Sequence, residues 1–133
     1  MSEQAFTMPA SGAFCWNELA TKDAETAKKF YTELLGWKLK ESDATGMSYT
    51  EIVVGGSHIG GIYQMMAEQG DMPSHWMAYV AVEDVDAAAK RTEELGGKVC
   101  VQPMDIPNVG RFCVINDPTG AALSLIKLQA PGS

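Results

Sequence analysis

Thr32-Glu-Leu-Leu-Gly-Trp-Lys-Leu39 recurs sixty residues later as Thr92-Glu-Glu-Leu-Gly-Gly-Lys-Val99. A string repeated at that spacing in a 133-residue chain marks two copies of one folding unit. Around the first copy, Ala27, Phe30, Tyr31, Leu34 and Leu35 fall at i, i+3, i+4, i+7 and i+8, the period of a helix with one buried apolar face. Thr21 or Asp23 supplies the N-terminal cap, and Gly36 ends the helix. The matching helix of the second copy runs from Asp84 to Leu95 and stops at Gly96-Gly97.

Strands surround both helices. Residues 13–20 alternate, with Phe14, Trp16 and Glu18 on one face and Ala13, Cys15, Asn17 and Leu19 on the other. Residues 37–41, 47–54 and 57–65 read as three more strands, the last two joined by Gly55-Gly56, a dipeptide suited to a tight hairpin. The second half repeats the order, with strands at 75–82, 98–102, 111–116 and 121–128. Each half is therefore β-α-β-β-β, and the chain is an α+β protein. A single domain over 12–130 is expected, with module one at 12–66, a Gly- and Pro-bearing linker at 67–74, module two at 75–130, and an irregular segment at 1–11. Asp117-Pro-Thr-Gly120 is a turn; if Asn116 pairs with Ala121 across it, Cys113 faces Ser124 and Arg111 faces Ile126.

A chain that is 46% hydrophobic buries a core without disulfides, and its three cysteines, Cys15, Cys100 and Cys113, are too scattered for a Cys-x-x-Cys site. They read as reduced thiols. The start, Met1-Ser-Glu-Gln, has no secretory character and no apolar run is long enough to cross a membrane, so a cytoplasmic protein is expected. Seventeen acidic against ten basic residues give a net charge of −7, which argues against nucleic acid and anionic membranes and mildly favours cationic ligands.

The two modules, the Phe30-Tyr31…Leu35-Gly36-Trp37 string and the Gly110-Arg-Phe…Asp117-Pro-Thr-Gly120 string together resemble the vicinal oxygen chelate superfamily of glyoxalase I, bleomycin-resistance proteins and extradiol dioxygenases. The resemblance runs from about Ala13 to Leu128. It implies a mixed sheet curled around a cavity, with helices outside and a small molecule inside, and a homodimer. In the metal-dependent relatives each module gives a divalent ion two ligands, one from its first strand and one from its last. The positions that match here hold Trp16, Met77, Ser124 and either Gly60 or Gly61. Neither indole nor glycine has a lone pair to give, and neutral Ser and Met are poor donors for Zn, Mn or Fe(II).

The resemblance therefore implies a pocket with no metal and no cofactor, occupied by an aromatic or cationic small molecule. Strand parity points Trp16, Glu18, His75, Met77, Tyr79, Arg111, Cys113 and Ser124 inward as its lining. An inward carboxylate needs a partner, and Arg111 or His75 is available to Glu18. Glu18 and His75 are the catalytic candidates if the protein is an enzyme of the lyase, isomerase or dioxygenase type. A displaced metal set of Glu18, Glu51, His58 and His75 is an alternative, as is a protein-interaction module with a filled cavity.

Overall fold

The computed structural model describes residues 9–42, 49–66, 72–106 and 109–129. Within them lie eight strands and two helices: β1 (Phe14–Thr21), α1 (Ala24–Leu35), β2 (Lys38–Ser42), β3 (Tyr49–Val54), β4 (Ser57–Gln64), β5 (His75–Ala81), α2 (Val85–Glu94), β6 (Lys98–Ile106), β7 (Gly110–Asn116) and β8 (Ala122–Leu128). The class is α+β, and β-α-β-β-β occurs twice, as the repeated string requires. Met47 and Ser48, where β3 was expected to begin, and residues 67–71 of the expected linker lie outside the described residues. The chain divides into two compact units, Trp16–Ala78 and Tyr79 onward taken with the residues up to Cys15.

In the first unit the strand order is β2-β3-β4-β1, with β1 parallel to β4 and the other pairs antiparallel. Asp23 caps α1, accepting from Thr26 N at 3.1 Å and Thr26 Oγ1 at 2.8 Å. Gln64 adds a second tie, accepting from Ala24 N at 2.9 Å while donating to the Lys22 carbonyl. These bonds satisfy amide donors that a helix start leaves open, and they fix α1 to the ends of β1 and β4. Gly36 ends the helix at φ +72°, a conformation that favours glycine.

The core under α1 joins Leu19, Ala24, Ile52 and Ile62, with Ala27, Tyr31, Trp37 and Leu39 packed at its edge. This corrects the expected helix face. Tyr31 and Ala27 are half-buried, but Phe30, Leu34 and Leu35 are 56%, 62% and 52% exposed. The apolar stripe on α1 is wider than the contact it makes, and Trp37 folds back to stack on Tyr31 with centroids 5.3 Å apart.

In the second unit the order is β5-β8-β7-β6, and Val85, Ala89, Cys113 and Leu125 form the core beneath α2. The turn after β7 is one residue longer than expected. Asp117 Oδ1 accepts from Thr119 N, Thr119 Oγ1 and Ala121 N, and Asp117 N donates to the Ala121 carbonyl, so the loop spans Asp117 to Ala121. Asn116 therefore pairs with Ala122, Cys113 with Leu125, Arg111 with Lys127, and Ser124 with Val114. A one-residue slip turns a strand's side chains to its other face. Cys113 and Ser124 thus lie on opposite faces, and the expected pairings of Cys113 with Ser124 and Arg111 with Ile126 are corrected.

Candidate functional site

Alternation on β1 sends Asn17 and Leu19 toward α1 and leaves Trp16 and Glu18 on the opposite face of the module-one strands. Tyr49, at the start of β3, reaches across β4 to join them. Trp16 Nε1 donates to Tyr49 Oη at 2.9 Å, and Tyr49 Oη donates to Glu18 Oε1 at 2.9 Å. One phenol oxygen thus accepts from an indole and donates to a carboxylate, fixing three half-buried side chains.

Gly61 makes the crossing possible. It is the residue of β4 that pairs with Glu18 on one side and Glu51 on the other. A Cβ there would collide with the Tyr49 hydroxyl and ring. Module two has the equivalent pair in Tyr79 and Ser124, so Gly61, rather than Gly60, is the counterpart of Ser124. Sequence reasoning missed Tyr49 altogether. The available signal was a glycine where the repeat places a side chain, which implies that something else fills the space.

The other candidates lie each within its own unit. Arg111 Nε and Nη2 bind the Asp86 carboxylate at 2.8 and 2.9 Å, and Nη1 binds Asp105 at 3.1 Å, so its guanidinium serves α2 and β6. These contacts hold the Asp86 carboxyl below the usual carboxylate range and the Arg111 guanidinium above its own. Cys113 is fully buried beneath α2, where burial, with the Asp86 charge adding, pushes its thiol up. His75 Nδ1 lies 2.8 Å from the Pro73 carbonyl, and Met77 is half-buried on β5. Glu18 accepts from the Tyr49 hydroxyl, a partner the sequence did not suggest beside the expected Arg111 or His75. Tyr79 lies beside Phe112, with centroids 6.5 Å apart, and the Ser124 hydroxyl is fully buried without a hydrogen-bond partner among the described residues.

Glu51 contacts His58 across the β3–β4 hairpin. No group of three His, Cys, Asp or Glu among the described residues is arranged to hold a metal ion, so Glu18, Glu51, His58 and His75 do not assemble as the displaced set. The family positions do not fit a metal either. The Trp16 N–H is committed to Tyr49, Gly61 has no side chain and its space holds the Tyr49 ring, and Met77 and Ser124 are weak neutral donors.

A profile of the Glyoxalase/Bleomycin resistance protein/Dioxygenase superfamily matches residues 14–125. The chain is 38% identical over 118 residues to the Mycobacterium bovis protein named "Putative glyoxylase CFP32", covering 88% of this chain and 44% of that one. It is 34% identical over 129 residues to the anthracycline biosynthesis protein DnrV of Streptomyces peucetius, covering 87% and 47%. It spans less than half the length of both relatives. Among solved structures it is similar to methylmalonyl-CoA epimerase from Mycobacterium tuberculosis, with a TM-score of 0.62, 20% identity, and coverage of 92% of this chain and 93% of that one. At that identity the likeness speaks to fold.

Proposed function

The chain belongs to the Glyoxalase/Bleomycin resistance protein/Dioxygenase superfamily, and we propose that within it the protein is a small-molecule binder whose site does not depend on a metal. The carrying observation is the Tyr49 hydroxyl, which links Trp16 to Glu18 above Gly61. The first-strand and last-strand positions of module one are thereby given to a hydrogen-bonded aromatic and acidic triad instead of metal donors. An indole face beside an anchored carboxylate suits an aromatic molecule bearing a hydrogen-bond donor or a cationic group. The relative named for anthracycline biosynthesis supports an aromatic ligand. Met77, half-buried on β5 within the same unit as the triad, enters the proposal as a further contact. A homodimer in the cytoplasm is part of the same proposal.

The test titrates neutral and cationic aromatic compounds into the wild-type protein and the Trp16→Phe, Tyr49→Phe and Glu18→Gln variants. Tryptophan fluorescence and calorimetry follow binding, and metal content is measured on the purified protein. Saturable binding weakened at least ten-fold in Tyr49→Phe and Glu18→Gln is expected. A stoichiometric bound metal whose removal abolishes binding defeats the reading.

A further inference from the structure

The opposite face of module one carries a second feature that the triad does not use. Asn17, Gly60 and Ile52 form one row across β1, β4 and β3 on the α1 side. That row floors a groove of about 320 Å³ whose remaining lining is Trp37, Ile59 and Trp76. The volume lies at the lower end of the ~300–1,000 Å³ typical of small-molecule sites. The two indoles stand nearly perpendicular, at 84° with centroids 6.0 Å apart, and both are braced by Tyr31. Trp37 stacks on Tyr31, whereas Trp76 meets it edge-on at 5.5 Å and donates its Nε1–H to the Tyr31 hydroxyl at 3.3 Å.

We propose that this groove is a second binding site, for a planar, uncharged aromatic molecule of roughly two fused rings. Two braced indole faces at right angles offer a flat ring stacking on one wall and edge contact on the other, the two geometries aromatic pairs favour. Holding both rings in advance removes the side-chain ordering that binding otherwise costs. Gly60 adds no side chain to the floor between Asn17 and Ile52, and a Cβ there would meet the Asn17 carbonyl of β1. Asn17, exposed at the same row, supplies both a donor and an acceptor for one polar substituent. Trp76 and Ile59 remain 42% and 39% exposed, surface that such a ligand covers.

The module repeat shows that the fold does not demand these residues. In the repeated string Trp37 corresponds to Gly97, and immediately before the string Tyr31 corresponds to Arg91. Module two forms the same β-α-β-β-β unit without either ring.

The probe is N-phenyl-1-naphthylamine, a neutral aromatic dye, titrated into the full chain with dye emission and tryptophan quenching as readouts. Saturable one-to-one binding is expected. Trp76→Ala should weaken it at least ten-fold, as should Ile59→Trp, which fills the groove, each with an unchanged far-UV spectrum. Tyr49→Phe, on the other face, should leave it within two-fold. Binding that survives both groove variants overturns the proposal, and so does binding lost equally in Tyr49→Phe. Sedimentation velocity reads the remaining alternative: a wild-type dimer that binds no dye and becomes monomeric in Trp76→Ala assigns the groove to a second copy of the chain and ends the proposal.

Discussion

Replacing Gly61 by alanine adds one methyl group where the Tyr49 ring now lies. The backbone tolerates the change, since Gly61 is not among the residues at positive φ. The ring must therefore move, and with it go the 2.9 Å bonds from Trp16 and to Glu18. A neutral hydrogen bond contributes about 1 kcal/mol net and one to a charged acceptor about 1.5–3 kcal/mol. Water recovers part of this at half-buried groups, and alanine in a strand regains about 0.5–1 kcal/mol over glycine. The expected net loss is about 1–3 kcal/mol, read from urea unfolding followed by tryptophan fluorescence, with a shifted folded-state emission as Trp16 loses its acceptor. The decisive comparison uses Tyr49→Ala as background. With the ring gone, Gly61→Ala should cost nothing or stabilise by about 0.5–1 kcal/mol. If Gly61→Ala costs the same with and without Tyr49, the ring is not what the glycine accommodates and the triad's geometry is wrong.

Asp86, Asp23 and Asp117 all have carboxyl groups held below the ordinary range, by the Arg111 hydrogen bond, by Thr26 and by Thr119 respectively. The folded state thus binds fewer protons than the unfolded chain near pH 4, so their stabilisation is complete above the unfolded value of about 3.9 and is lost as pH falls through the lower folded values. Asp86→Asn should flatten the acid limb of a thermal-stability profile; an unchanged limb would detach the Arg111 pair from stability. Thiol labelling with an aromatic disulfide reagent checks the β7–β8 register. Exposed Cys100 should react fast and half-buried Cys15 more slowly, whereas Cys113, fully buried beneath α2 with its thiol pushed up, should react only on unfolding. Fast labelling at Cys113 in the native protein would restore it to an open face.

Element order was readable because each element carries its own local signal. Helix periodicity, capping aspartates and Gly36 placed α1 and α2, and Gly55-Gly56 placed the β3–β4 hairpin. Facing residues were harder to read, because parity along a strand is inherited from a turn. A four-residue or a five-residue loop can form around Asp117-Pro-Thr-Gly120, and the bonds from Ala121 N to the Asp117 carboxylate and from Asp117 N to the Ala121 carbonyl select the longer one. That single residue moved Arg111 and Cys113 away from Ser124. Tyr49 was invisible for another reason. Its role depends on a contact across β4 to β1, 31 residues distant in sequence, and nothing local marks a tyrosine for it.

The same comparison of halves bears on why module one is richer in rings. The positions of Phe30, Tyr31, Leu34 and Trp37 correspond to Lys90, Arg91, Glu94 and Gly97. On α2 the outward pair is Arg91 and Glu94, 3.1 Å apart and exposed, the sort of ion pair that contributes little to stability. Helix α2 nevertheless packs on its own core through Val85 and Ala89. A solvated outer face is therefore sufficient for this unit to fold. Leaving Phe30 and Leu34 more than half exposed forfeits that solubility and adds no core contact. Phe30 meets Tyr31 edge-on from the exposed side, and Tyr31, packed at the edge of the core, in turn braces Trp37 and Trp76. The divergence between Trp37 and Gly97 within an otherwise matching string thus marks where module one differs from module two, at the rings that the proposed groove uses.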